Sequence, residues 1–302
     1  MATTLAEHVS LQELHDHYVS THLPQKMGNS APIAYGGYAI ALAIHAAYKT
    51  TPNGFHLHSA LGHYLRPSFV TYRVAVEQKD PSTGQPNLCM ELLADFHRDE
   101  PSVLTFSSKP TRSYSHWQDC VPWDRLIEDW VKAEKISEPH FKAFNTLFGL
   151  SRNLYEGRPC PEGVTAQNLM GMAKTIKTSQ EELSPTKKSS ADWFRVKHPL
   201  QTEGEQIASL GFIMDGVLSF LPLAHNHMFF NDVGACSSLD FALRIFTPRP
   251  KMDEWHLREI INHHASNGRT YSESKLWDEG GNLVASMTQQ SILRAPTKAA
   301  RM

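Results

Sequence analysis

The sequence predicts an α+β fold built twice over, each half an antiparallel sheet curled around one long helix. Three observations carry this reading. The chain has 302 residues, comfortable for two domains of about 110 to 150 residues. Its first half holds a helical segment that is apolar on almost every side, followed by strand-like runs. Its second half repeats that order.

In the first half, Tyr35-Gly36-Gly37 opens the helical segment Tyr38 to Tyr48, where Ile40, Leu42, Ala43, Ile44, Ala46 and Ala47 spread around the axis. A helix apolar all round is a buried one. Strands are expected at Phe55 to Arg66, Val70 to Glu77, Leu88 to Phe96 and Ser102 to Ser108, with Pro67, Asp80-Pro81 and Asp99-Glu100-Pro101 as turns. In the second half, Thr202-Glu203-Gly204-Glu205 is a capping box that starts a helix with the stripe Ile207, Leu210, Met214, Leu218 and Leu221. Strands are expected at Ala235 to Phe246, Trp255 to Asn262, Thr270 to Trp277 and Leu283 to Leu293, with Asp278-Glu279-Gly280-Gly281 as the last tight turn. One buried helix and a run of antiparallel strands, twice, is a double hotdog arrangement. The expected layout is an N-terminal hotdog domain over 1–110, a helical linker and mobile loop over 111–189, a C-terminal hotdog domain over 190–297 and a tail over 298–302. In the linker, Trp123, Leu126, Ile127, Trp130 and Val131 follow Pro122 at helical spacing, so an amphipathic helix is expected there. Thr178 to Ser190 is polar and contains Pro185, which reads as a mobile loop.

Composition narrows the function classes. Hydrophobic residues make up 41% and charged residues 20%, the balance of a globular chain with a substantial core. A net charge of −2 gives no general attraction to nucleic acid or to an anionic membrane. No apolar run approaches the roughly 18 to 20 residues that span a bilayer. The N-terminus lacks the basic-then-apolar layout of a signal peptide. Four scattered cysteines, Cys89, Cys120, Cys160 and Cys236, lack metal-site spacing and are too few for a disulfide scaffold, so free thiols are expected. There is no G-x-S-x-G elbow, G-x-G-x-x-G fingerprint or P-loop. His56-x-His58 and His225-x-His227 have no matching Cys or carboxylate array and read as structural, as does His263-His264. No metal and no cofactor are expected.

Three polar positions in the second half stand out. Asp215 lies at the edge of the helix stripe, where burial costs several kcal/mol unless compensated. Ser238 falls opposite in face to Leu239, Phe241 and Leu243 on strict alternation. Gln289 shares a strand face with Leu283, Ala285 and Met287. Each alone reads equally well as a satisfied core polar group or as a functional one. Together they supply a carboxylate, a hydroxyl and an amide, which can hold and activate one water.

The chain resembles the type II acyl-CoA thioesterases in Tyr35-Gly36-Gly37 leading into an apolar helix, in His58-Ser59 leading to Tyr64-Leu65-Arg66-Pro67, and in the ending Leu283-Val284-Ala285-Ser286-x-x-Gln289. It is also similar in Leu210-Gly211-Phe212-Ile213-Met214-Asp215 followed by Phe220-Leu221-Pro222. The resemblance covers about residues 15 to 110 and 190 to 295. It implies a catalytic set of Asp215, Ser238 and Gln289, and substrate contacts from Gly36, Gly37, Tyr38, His58 and Arg66. Two departures are plain. Tyr38 stands where the family usually has Gln, and Asn87-Leu88-Cys89-Met90-Glu91 stands where it has Ser-Phe-Ser-x-Arg. An acidic residue in place of a basic one implies rebuilt substrate contacts.

The expected reaction is hydrolysis of an acyl-CoA thioester by a water that Asp215 activates and Ser238 and Gln289 orient, with backbone near Gly36-Gly37 facing the oxyanion. Two other readings of the fold are a non-hydrolytic enzyme acting on a polyketide-like or CoA-linked intermediate of secondary metabolism, and a binding protein that has lost catalysis. The partners expected are an acyl-CoA or related thioester, further copies of the chain, and a peroxisomal import receptor. This last rests on the tail Ala300-Arg301-Met302, a small-basic-apolar variant of the Ser-Lys-Leu address, and would make the protein peroxisomal; without it the chain would be cytoplasmic.

Overall fold

The computed structural model describes residues 2–15, 17–28, 33–64, 77–79 and 85–296. Arg66, Ala300, Arg301 and Met302, and positions 70–76 of the second expected strand, lie outside the described residues. A one-turn helix, α1 (Leu5–His8), and a hairpin of β1 (Leu11–Leu14) and β2 (His17–Ser20) precede the long helix α2 (Gly36–Thr50). Next come β3 (His56–Tyr64), a short pair of β4 (Glu77–Lys79) and β5 (Pro86–Leu88), and β6 (Met90–His97). The middle of the chain carries α3 (Trp123–Lys132), α4 (Glu138–Leu154), β7 (Tyr155–Pro159) and the single turn α5 (Val164–Gln167). The second half runs through β8 (Ser189–Val196), α6 (Glu203–Met214) and α7 (Leu221–Ala224). Four long strands end it: β9 (Ala235–Ile245), β10 (His256–Ser266), β11 (Arg269–Asp278) and β12 (Leu283–Arg294).

Among the described residues, eight strands form one sheet in the order β6-β3-β9-β12-β11-β10-β8-β7, antiparallel at every step. The two halves meet at β3 and β9, where Ser59 lies opposite Arg244 and His63 opposite Asp240. The helices α2 and α6 bury their apolar residues together with the inward residues of the sheet in one core. Ile40, Ile44, Ile207 and Leu210 are fully buried there, each stabilising by about 1.5 to 3 kcal/mol. The expected capping box starts α6. Thr202 Oγ1 accepts from the Glu205 N–H at 3.2 Å, and the Glu205 carboxylate accepts from the Thr202 N–H at 3.0 Å. Two glycines set how closely the helices approach. A Cβ on Gly37 would stand 2.6 Å from the Phe212 carbonyl oxygen, and one on Gly211 would stand 2.9 Å from Ile40 Cγ2.

The structure corrects four expectations. The α6 helix stops at Met214, so Leu218 and Leu221 belong to the turn and to α7 beyond it. Val217 takes a φ of 82° in that turn, a left-handed conformation that a β-branched residue adopts only under constraint. Ser102 to Ser108 makes no strand. That segment instead crosses to the last hairpin, where Ser108 O accepts from Trp277 Nε1 at 2.7 Å and Ser107 Oγ from the Leu283 N–H at 3.2 Å. Thr178 to Ser190 is anchored, not loose: the Gln180 side chain bonds Glu162 O, Ser189 O and the Ser189 N–H. Ser189 and Ser190 already belong to β8. Strict alternation also misplaces Ser238, for a reason given below.

Gly37→Ala should destabilise the fold by about 1 to 3 kcal/mol, because the Phe212 backbone cannot yield to the new methyl. Gly149→Ala, inside α4 with nothing within 4 Å of the added Cβ, should stabilise by about 0.5 to 1 kcal/mol. Urea denaturation of the two variants checks both signs.

Candidate active site

Asp215 is the C-cap of α6 and is buried. That is a poor place for a carboxylate, since the helix C-terminus carries partial negative charge and burial removes water. Four neighbours compensate. Gln289 Nε2 donates to Asp215 Oδ1 at 2.6 Å. The Gly37 backbone N–H, in the first turn of α2, donates to the same carboxylate, placing it at the positive end of that helix. The Ser238 hydroxyl hydrogen-bonds it as well. The Tyr35 hydroxyl lies within reach of both Asp215 and the Phe212 carbonyl oxygen, the latter at 2.6 Å. Burial dominates nevertheless and pushes the Asp215 carboxyl up to about 6, against the pull of Gln289, Gly37, Tyr35 and Ser238. Gln289 is itself oriented: Ser291 Oγ donates to its Oε1 at 3.3 Å, which leaves Nε2 for the carboxylate.

Ser238 reaches this cluster through a β-bulge. On β12, Gln290 pairs with Asp240, but Ser291 pairs with Ser238, so Leu239 is an extra residue on β9. The extra residue reverses the alternation and puts Ser238 on the face of Phe241 and Gln289. Strict period-two reading placed it on the opposite face. Bulges are common next to active sites because they re-aim a side chain in this way.

An ion pair braces the turn after Asp215. Arg258 donates to both carboxylate oxygens of Asp192 at 2.9 Å, and its Nη1 donates to Ile213 O at 2.6 Å and Gly216 O at 3.3 Å. It thus satisfies carbonyls left open at the C-terminus of α6 and holds the turn that contains Val217. Residue-level reasoning on the sequence did not select Arg258, Asp192, Tyr35 or Ser291. The available signal was Arg258-Glu259 in the middle of the apolar strand Leu257 to Ile261.

The cluster opens into a cavity of about 690 Å³. Tyr35, Gly36, Tyr38, Asp215 and Ser238 line it, together with the aromatic residues Trp123, Phe144, Phe148, Phe220 and Phe230. Tyr38 presents its ring to the cavity while its hydroxyl donates to His8 Nδ1 at 2.6 Å. Burial lowers the pKa of His8 and raises that of the Tyr38 phenol, which fits a neutral imidazole accepting from the phenol. His58 is not brought to the cavity wall. It occupies an irregularity in the β3–β6 register and packs edge-on against His97 at 4.7 Å. At the N-terminus of α2 the Gly37 N–H bonds Asp215, and Gly36 lines the cavity. His225 is buried between Ser190 Oγ at 2.9 Å and Asn262 Nδ2 at 3.0 Å, and burial pushes its pKa down to about 3, so it serves as a neutral structural group. Among the described residues, no group of three or more His, Cys, Asp or Glu could hold a metal ion, and no helix is long and apolar enough to cross a membrane.

Arg258→Met should destabilise the protein by about 1 to 3 kcal/mol, because it leaves the half-buried Asp192 carboxylate without its partner. Chemical denaturation reads this directly, and the double variant Arg258→Met/Asp192→Leu should recover most of the loss.

Comparison with known proteins bears on both halves of the chain. The family described as acyl-CoA thioesterase N-terminal domain matches residues 23–86, and that described as acyl-CoA thioesterase C-terminal domain matches residues 157–293. Acyl-CoA thioesterase 2 of Haemophilus influenzae is 22% identical over 268 residues, covering 86% of this chain and 87% of its own. The crystal structure of an acyl-CoA thioesterase II from Mycobacterium marinum superposes with a TM-score of 0.64 at 17% identity, covering 97% of this chain and 99% of that one. A hotdog-fold protein of Alicyclobacillus acidocaldarius, of unknown function by its own description, gives a TM-score of 0.64 at 13% identity over 97% and 98% of the two chains. The two solved structures establish the fold as a double hotdog, and the two family matches take in 201 residues (64 and 137) on either side of the middle segment. With an N-terminal and a C-terminal thioesterase domain in order on one sheet, the chain belongs to the type II acyl-CoA thioesterase family.

Proposed function

We propose that this chain hydrolyses an acyl-CoA thioester to a carboxylic acid and CoA, with Asp215 as general base and Ser238 and Gln289 as the groups that orient it and its water. The observation that carries the reading is a buried carboxylate whose pKa is pushed up to about 6, tied to an amide and a hydroxyl, at the wall of a large cavity. A carboxylate with a pKa near the working pH is suited to take a proton and to return it.

Asp215 takes a proton from water while the water oxygen forms a bond to the thioester carbonyl carbon. The tetrahedral intermediate collapses, the carbon–sulfur bond breaks, and the thiolate takes the proton back from Asp215. Gln289 and Gly37 donate to Asp215 throughout, so the carboxylate keeps one orientation in both protonation states. The cavity side lined by α3, α4 and the α6–α7 turn receives the acyl group.

Thiol release from a panel of acyl-CoAs tests the proposal. Asp215→Asn should lower kcat/KM by about 10²- to 10⁴-fold, the usual cost of losing a general base. The base works only when ionised, so log kcat/KM should rise one unit per pH unit up to about 6 and level off above it. Burial opposes the ionised form, and of the groups that favour it Gln289 contributes most. Gln289→Leu should therefore move the break in the pH profile upward as well as slow the reaction. A profile that falls between pH 5 and 7, or an Asp215→Asn variant of full activity, would overturn the assignment.

A further inference from the structure

The site described above leaves one group of residues without a role in proton transfer: the aromatic side of the cavity. Trp123 of α3, Phe144 and Phe148 of α4, Phe220 in the turn before α7 and Phe230 all line it. They form one continuous chain of ring contacts. Successive centroids stand 5.8 Å apart from Trp123 to Phe144, 4.8 Å to Phe148, 5.7 Å to Phe220 and 4.9 Å to Phe230. The rings are inclined to one another by 38° to 50°, so no two successive rings are coplanar. Tyr35, Tyr38 and Asp215 line the same cavity. At about 690 Å³ the space is that of a drug-sized ligand, for which pockets run from about 300 to 1,000 Å³.

A straight alkyl chain needs only a narrow apolar passage and gains nothing from the orientation of rings. A planar unsaturated ring gains from edge-to-face or offset contacts in addition to its buried area. Resting on the thioesterase reading, we propose that the acyl group this protein selects carries an aromatic or other planar unsaturated ring system. The middle segment, through Trp123, Phe144 and Phe148, would be the element that sets this preference. The two domain matches end at residue 86 and resume at residue 157, so these three residues lie outside them.

The test uses thioether analogues of acyl-CoA, which bind but cannot be hydrolysed, so it does not depend on turnover. One analogue carries a naphthyl group and the other a straight alkyl chain of the same carbon number. Calorimetric titration of the full-length wild-type protein should show the naphthyl analogue binding at least tenfold more tightly. Phe148→Leu and Phe230→Leu keep an apolar side chain but remove a ring. Each should weaken the naphthyl analogue by about 2- to 10-fold, the worth of one aromatic contact, and leave the alkyl analogue within twofold. Equal binding of the two analogues by wild type overturns the proposal, as does an equal loss for both in the variants. The wild-type comparison decides the matter even if a variant folds poorly. Tight naphthyl binding without thiol release from the corresponding thioester would leave this inference standing and overturn the hydrolytic reading instead.

Discussion

A carboxylate buried at the C-terminus of one helix and against the N-terminus of another is the constraint on which the rest of this structure depends. Left alone, Asp215 would oppose both the dipole of α6 and the low dielectric of the core. Each half of the chain contributes to its compensation. The first half sends the Gly37 N–H from α2, and the second half supplies Gln289 from β12 and Ser238 from β9. The bond from α2 requires α2 and α6 to approach closely, which a Cβ at position 37 would prevent. Joining the two halves in one sheet through β3 and β9 holds that geometry. Neither half contains the whole cluster.

The surroundings of the cluster are stiffened by charged and polar groups that never face the substrate side alone. Arg258, held by Asp192, bonds the carbonyls of the turn after Asp215. Such a pair contributes little net stability against an apolar replacement, so its consequence is positional: it fixes carbonyls on either side of the base. Farther along the same sheet face, Ser190, His225, Asn262 and Ser272 form a closed hydrogen-bonded row. A buried polar row of this kind is tolerable only when every member is satisfied, and here the imidazole stays neutral because burial disfavours its charge.

The middle segment has two jobs set by its chemistry. Its first part lies on the outer face of the sheet: Thr111 and Tyr114 bond the buried Glu259 carboxylate at 2.6 and 2.7 Å, and Trp117 stacks on Trp255 at 4.9 Å. Its helices lie on the other side of the problem, where α3 and α4 pack with Phe220, Leu223 and Phe229 to wall the cavity. The α3 stripe at Trp123, Ile127 and Trp130 was legible as amphipathic, but periodicity alone does not say which surface a stripe covers.

Much of the fold was readable because burial imposes periods. The all-round apolar run after Gly37, the capping box at Thr202 and the four alternating runs after residue 235 became α2, the start of α6 and β9 to β12. Asp215 and Gln289 were readable as polar residues in apolar settings, which is a local property of sequence. Ser238 was named as a site residue on the wrong face, since a single inserted residue at Leu239 reverses every later side chain. Where a helix must stop, as after Met214, depends on a strained turn that Arg258 steadies from a distant strand. Ser102 to Ser108 makes no strand and instead bonds the β11–β12 hairpin through Ser107 and Ser108, a contact with residues far along the chain. By itself, then, the sequence determined the repeating helix-and-strand pattern, the core and the chemical types in the site, because these follow from local period and polarity. Only the tertiary structure decided the register of β9, the end of α6, the helix terminus that meets Asp215 and the aromatic wall, because each depends on contacts between residues far apart in the chain.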